Sequence, residues 1–389
     1  MKNKVLIIFK YPREHWNQPV INKFSNFYDT EYLYISDYKN KNFTEIINEI
    51  NSLIKLKNVE IVVFDVDYFR FINFFFIEKI NAKKKILITG DDFDQHEVHS
   101  ISANACDLVL SGCPLSVLKY REKGYEAHLF YCEYNKLNKI NDVKKEIDVL
   151  FYGVITPDRK NFLDYIAQEG VSLTNVGHEE GVTGLPKDEL LKLISKSKIV
   201  IQLSKTKTSS VLNYASEGVF KFYYQFKGRM ILAGYLGAAC VAEYAPGTEL
   251  LFSDDELPTF YTKEECVKIL KNILKNDELL AKYTNKLNLR VNEICDDKKN
   301  FEPIYNSIEK LNRRKVKLYK IPYWYLRIAA KYILLRNIKL SNLIKTIFQF
   351  KIVFSIIKNS NFLIKFFIII ESIVNAFWYS FILTFKSKK

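Results

Sequence analysis
The 389-residue sequence predicts two doubly wound α/β domains in tandem, a cleft between them, and a basic amphipathic α-helical tail. Three observations carry that prediction. Over the first 300 residues, short apolar runs alternate with helix-like stretches, the pattern that βα units and a buried parallel sheet produce. The chain is also too long for one small core. Finally, the last 89 residues hold 17 of the 58 Lys and Arg but three of the 44 Asp and Glu. The net charge of +14 therefore sits in the tail, and the first 300 residues balance at 41 of each sign. A content of 48% hydrophobic and 26% charged residues excludes a disordered or collagen-like chain.

In the first domain, expected over residues 1–140, the strand candidates are Lys4–Phe9, Tyr32–Ile35, Val59–Phe64, Lys85–Thr89, Leu108–Leu110 and Ala127–Tyr131. Phe43–Leu56 lies between them, with Ile46, Ile47, Ile50 and Leu53 at helical spacing. Polar Lys136–Lys145 reads as a linker. The second domain, expected over 141–312, repeats the pattern with Asp148–Tyr152, Leu173–Val176, Ile199–Leu203 and Ala238–Glu243. A helix is expected from Leu185, where Pro186 opens the first turn, Asp188 and Glu189 follow, and Leu190, Leu191 and Ile194 form a stripe. The apolar run after Met1–Lys4 is far too short for a secretory signal and reads as a strand. The six cysteines form no CxxC and no Cys/His ligand spacing, as expected of reduced thiols in the cytoplasm.

The tail, expected over 313–389, opens on Arg313–Lys317 and places aromatics beside cations in Ile321–Arg327. Leu343–Ile357 sets Leu343, Ile344, Ile347, Phe350, Phe354 and Ile357 on about one face, with Lys345, Lys351 and Lys358 elsewhere. That pattern fits an interfacial helix on an anionic membrane. Phe366–Phe385 is long enough to span a bilayer, but Glu371 near its middle favours an interfacial helix over a single span at 366–385. The alternative is that these helices pack on the body. The Ile and Phe content speaks against a nucleic-acid-binding arm, so no nucleic acid partner is expected.

In open parallel sheets ligands bind beyond the carboxyl ends of the strands. Four such loops in the second domain carry suitable groups. Gly153, Arg159 and Lys160 follow the first strand, with Thr156, Pro157 and Asp158 opening a helix. His178 follows the second strand, and Ser204 ends the third. Glu243, Gly247, Thr248 and Glu249 follow the fourth, and Lys227 and Arg229 open the helix before it. Glycines at helix starts and converging cations suit a phosphate group.

These stretches resemble a known family. "DVLFYGVITPDRKNFLDYI", "LPKDELLKLISKSKIVIQLS" and "FKGRMILAGYLGAACVAEYAPGTELLF" look like the donor-binding domain of bacterial glycosyltransferases of the two-Rossmann (GT-B) architecture, CgeB-like or group 1 type. "KILITGDDFDQHE" and "CDLVLSGCPLSVLKYREKGYEAHLFY" resemble the end of that family's N-terminal domain. The resemblance implies two Rossmann-like domains, acceptor first and donor second. It implies transfer of a sugar from a nucleotide-diphosphate sugar, with Gly153, Arg159, Lys160, His178, Ser204, Lys227, Arg229, Glu243, Gly247, Thr248 and Glu249 as donor-binding residues. At one position the sequence departs from the pattern. Leu232 stands where the family usually has a Glu that grips the donor ribose.

On the acceptor side, Asp92 and Asp94 form an Asp-x-Asp after a first-domain strand, and His15 lies in the loop after the first strand. Each is a candidate base for an acceptor hydroxyl; an Asp-rich turn that caps the next helix is the alternative for the carboxylates. There is no GxSxG, HExxH, P-loop or GxGxxG. The expected protein is a metal-independent glycosyltransferase, without a cofactor, held on the inner face of a bacterial membrane by its tail. Its acceptor would be a glycan or lipid-linked molecule of surface polysaccharide or lipopolysaccharide synthesis. The alternative function is a degenerate scaffold of the same fold.

Overall fold
The computed structural model describes residues 2–38, 41–66, 71–90, 92–130, 143–179, 182–205, 228–311, 321–335 and 370. Six parallel strands form the first sheet: β1 (Lys4–Phe9), β2 (Asp29–Tyr34), β3 (Ile61–Val66), β4 (Lys84–Thr89), β5 (Leu108–Ser111) and β6 (Glu126–Leu129). Their order is β2-β1-β3-β4-β5-β6. Five helices link them: α1 (Glu14–Ser25), α2 (Phe43–Lys57), α3 (Phe74–Lys79), α4 (Asp92–Ala103) and α5 (Pro114–Glu122).

Successive side chains of a strand point to opposite faces, which explains why β1 reads as a continuous apolar run. Val5, Ile7 and Phe9 enter the layer that holds Phe24 of α1, whereas Leu6 and Ile8 enter the layer of α2 and α3. Helix α2 begins at a capping box of Asn42 and Glu45 and stops where Asn58 turns left-handed at φ 55°.

The second sheet has β7 (Ile147–Phe151), β8 (Leu173–Asn175), β9 (Ser197–Gln202), β10 (Ala239–Glu243) and β11 (Thr259–Phe260), all parallel, in the order β11-β10-β9-β7-β8. Helices α6 (Pro157–Gln168) and α9 (Lys263–Leu274) cover one face. Helices α7 (Lys187–Ser195), α8 (Arg229–Tyr235) and α10 (Asp277–Ile294) cover the other. The two sheets, each covered by helices on both sides, are the fold class expected from the sequence. Strand β11 and helices α9 and α10 extend the second domain beyond the expected strands.

Two helices return to the first domain. Helix α11 (Asp297–Lys310) packs Phe301 edge-on against Phe24 at 4.8 Å, and Glu309 accepts the Tyr28 hydroxyl at 3.1 Å. Helix α12 (Tyr323–Leu335), which opens the interval expected as tail, buries Tyr325, Leu326, Ala329 and Ala330 in the core of α2, α3 and α4. The tyrosine hydroxyl accepts the Phe74 amide at 2.9 Å and hydrogen-bonds Ser102 Oγ at 3.1 Å. The helices expected over Leu343–Ile357 and Phe366–Phe385 lie outside the described residues, Ile370 excepted. Among the described residues no helix is long and apolar enough to cross a membrane.

Candidate active site
In the second sheet β7 has β8 on one side and β9 on the other, so the strand order reverses between β7 and β9. A crevice opens at such a switch point. Gly153 follows β7 with φ +111°, and a Cβ there would lie 2.0 Å from Arg229 Nη2. Only a glycine leaves that space. The Arg229 guanidinium fills it, 5.5 Å from the Phe151 ring centroid and 5.4 Å from that of Tyr152, with Nη1 donating to Gln202 Oε1 at 3.1 Å. One cation is thereby fixed between the ends of β7 and β9.

Arg159 stands beside it and is 7% exposed. Its Nη1 donates to Val154 O at 2.8 Å and its Nη2 to Lys205 O at 3.0 Å, so it ties the loop after β7 to the loop after β9. Burial and the neighbouring Arg229 charge push its pKa down to about 10, against the pull of Glu243, and it stays cationic at neutral pH. Glu243 Oε2 accepts the Ser204 and Lys205 amides at 2.7 and 2.8 Å, and Ser204 Oγ donates to Glu243 O at 2.7 Å. Burial raises the Glu243 pKa above the usual carboxylate value, although the two amides and the Arg159 charge act the other way. A cavity of about 390 Å³ opens on the α6 and α9 side of Arg159, lined among others by Thr156, Leu203, Glu243, Tyr261 and Lys263.

The other expected donor residues are spread around this centre. His178 pairs in a short bridge with Val154 and is half-buried, its Nδ1 3.1 Å from Glu179 O. Gly247, at φ +95°, lies where a Cβ would be 2.5 Å from Pro114 Cβ of the first domain, so the two sheet edges meet there. Buried Thr248 donates its hydroxyl to Ala245 O at 2.6 Å, and exposed Glu249 accepts the Tyr244 hydroxyl. Lys160 points away from the centre, on the outer face of α6, where its ammonium is 4.0 Å from Asp164. Lys227 lies outside the described residues.

In the first domain Asp92 is turned inward and fully buried. Oδ2 accepts the Thr89 and Ser111 hydroxyls at 2.6 Å each, while Oδ1 meets His99 Nδ1 at 2.6 Å and the Tyr120 hydroxyl at 3.2 Å. Burial raises its pKa, but the His99 bond and charge, His96 and Ser111 outweigh it and hold the carboxyl below its usual range. That geometry gives Asp92 a structural role in place of the acceptor base expected of it. Asp94 and His15 sit in the first turns of α4 and α1, at the carboxyl edge of the sheet. A cluster not singled out from sequence stands at the same edge: Asp65, at the end of β3, joined to Arg13 and Trp16. The only trace of it in the sequence is a carboxylate inside an apolar strand, Ile61–Val66.

A family model described as "Glycosyl transferase-like" matches residues 141–293, the interval that carries this switch point. That interval is similar to a glycosyl transferase-like domain. None of the curated proteins compared matches the chain. Among solved structures, Anabaena HepE in complex with UDP-glucose is 12% identical with a TM-score of 0.57, covering 79% of this chain and 100% of HepE. An alpha-glucosyltransferase solved with UDP and a 13-mer DNA is 11% identical with a TM-score of 0.51, covering 80% of this chain and 100% of that one. TarM is 13% identical with a TM-score of 0.50, covering 69% of this chain and 58% of TarM. These likenesses establish the GT-B arrangement of two Rossmann-like domains. Within the matched interval Leu232 is 3% exposed and belongs to the apolar cluster on the α7, α8 and α10 face of the second sheet, so the side chain adds to that core.

Proposed function
We propose that the protein transfers a sugar from a nucleotide-diphosphate sugar to a glycan or lipid-linked acceptor presented at a membrane, as in bacterial surface polysaccharide or lipopolysaccharide synthesis. The observation that carries this reading is the Arg229 guanidinium locked into the space left by Gly153 at the switch point of the second sheet. A diphosphate leaving group gains negative charge as the glycosidic bond breaks. A cation already in place there favours the transition state over the ground state, without reorganisation at the moment of reaction.

Arg159, one loop away, adds a second fixed charge, and we assign the electrostatic work to this pair and to no metal. HepE and the alpha-glucosyltransferase were solved with UDP or its sugar, so a UDP-sugar is the first donor to test. For the acceptor hydroxyl, His15 and Asp94 remain the base candidates at the edge of the first sheet.

The tail supplies the membrane. Over residues 313–389 its 16 cations against one acid, Glu371, suit an anionic leaflet, where each Lys contributes about 1 kcal/mol. Leu232 favours one second reading, a nucleotide-poor scaffold of the same fold, because no carboxylate stands there to hold a ribose. The deciding assay measures UDP release from a UDP-sugar panel, with lipid-linked and glycan acceptors on vesicles containing phosphatidylglycerol. Acceptor-dependent UDP release that falls in Arg229→Ala supports transfer. Absence of turnover with every donor, in protein shown to be folded, supports the scaffold.

A further inference from the structure
The first sheet has a switch point of its own, between β1 and β3, because β1 is flanked by β2 on one side and β3 on the other. Side chains there form an organised cluster. Asp65, 1% exposed, accepts Trp16 Nε1 on Oδ1 at 3.0 Å and Arg13 Nη2 on Oδ2 at 3.1 Å. The Arg13 guanidinium lies 5.3 Å from the Tyr11 ring centroid and 6.0 Å from that of Trp16, and Lys10 Nζ lies 4.7 Å from the Tyr11 centroid. Asn17, itself buried, donates Nδ2 to Tyr11 O at 3.0 Å and fixes the loop backbone.

A buried ion pair adds little net stability over apolar side chains of the same volume. Asp65 is better explained by what it orients, namely one indole and one guanidinium at the carboxyl edge of the sheet. These groups are reachable. Tyr11 is 37% exposed and the Arg13 side chain 20%. The near-contact of Gly247 with Pro114 shows that this edge faces the donor domain.

We propose that this cluster is the acceptor subsite and that it takes an acidic saccharide. The C–H face of a sugar ring would lie against the aromatic pair, and its carboxylate or phosphate would meet Arg13 and Lys10. Asp65 acts as a positioning residue, since both its oxygens are engaged by Trp16 and Arg13. The inference deepens the sugar-transfer reading and rests on it for the word acceptor.

The test follows indole fluorescence of the full-length protein during titration with methyl glucuronide, methyl glucoside and glycerol 1-phosphate. In the same samples the melting shift produced by UDP is recorded. A saturable change with the glucuronide, absent in Trp16→Phe and weakened about tenfold in Asp65→Asn, is the expected result, with the UDP shift unchanged. Arg13→Gln, checked for a native melt, should weaken the glucuronide response while Asp65 and its bond from Trp16 remain. A response to glycerol 1-phosphate alone keeps the anion site and makes phosphate its ligand. Equal response to the neutral glucoside, or none to any of the three, overturns the proposal. A missing UDP shift beside intact glucuronide binding counts against the donor reading and leaves this site standing.

Discussion
Gly153 and Arg229 share one space, since the guanidinium of one occupies the position a Cβ of the other would take. The substitution Gly153→Ala therefore acts twice. It strains a backbone held at φ +111° and expels the guanidinium. We expect a stability loss of about 1–3 kcal/mol. Thermal melts of Gly153→Ala, Arg229→Ala and the double variant check this. The double variant should recover part of the loss, because the clash is gone when the guanidinium is absent, whereas additive losses would show that the two do not compete.

The buried polar group on α4 predicts acid sensitivity. His96 is neutral in the fold, its pKa lowered to about 4 mainly by burial. The unfolded chain binds a proton near pH 6.5 that the folded chain refuses until about pH 4, so stability falls as pH drops through that window. Asp92, held below its usual range, adds a loss that sets in below the unfolded carboxylate value as the pH falls towards the folded one. Melting temperature should decline from pH 7 to pH 4.5, and His96→Phe should flatten the decline. An unchanged slope in that variant would contradict the assignment.

Tyr325 determines where the tail can be trimmed. Its ring is fully buried in the first domain and its hydroxyl satisfies the Phe74 amide and Ser102. Tyr325→Phe should cost about 1–2 kcal/mol and speed hydrogen exchange at the Phe74 amide. Tyr325→Ala should cost about 3–5 kcal/mol. A chain ended at residue 312 loses this side chain, whereas one ended at 335 keeps it, and denaturant melts of the two should differ accordingly.

The same trimming separates the body from the segment proposed to bind the membrane. The chain ended at residue 335 should lose co-sedimentation with phosphatidylglycerol vesicles while keeping its melt. Full-length protein should remain bound at moderate salt, because Leu343–Phe385 adds apolar contact to its cations. Retained binding by the shorter chain would place the contact on α12 or the body.

Local pattern explains what could be read from the sequence. The run Val5–Phe9 is apolar at every position because both faces of β1 are covered, and Pro186 lies one residue before α7. The glycosyl transferase-like interval was legible because its glycines and cations sit at strand ends. Long-range packing was not legible. Arg159 and Lys160 are neighbours in sequence, yet one turns into the protein to tie two loops together and the other faces water beside Asp164. Asp92 and Asp94 look equivalent in the sequence, but the Thr89 and Ser111 hydroxyls draw Asp92 into the core. The return of α11 and α12 to the first domain depends on Phe301 and Tyr325 meeting residues more than two hundred positions earlier, which no local period encodes.

The most direct measurement is calorimetric titration of UDP into full-length protein and into Arg229→Ala. A guanidinium fixed at the diphosphate predicts saturable binding by the wild type, weakened by about 1.5–3 kcal/mol in the variant, with the variant shown by a cooperative melt to be folded at the titration temperature. Equal affinity in the two would remove the diphosphate from the Gly153–Arg229 site, and no binding by either would favour the scaffold in which Leu232 has replaced the ribose carboxylate.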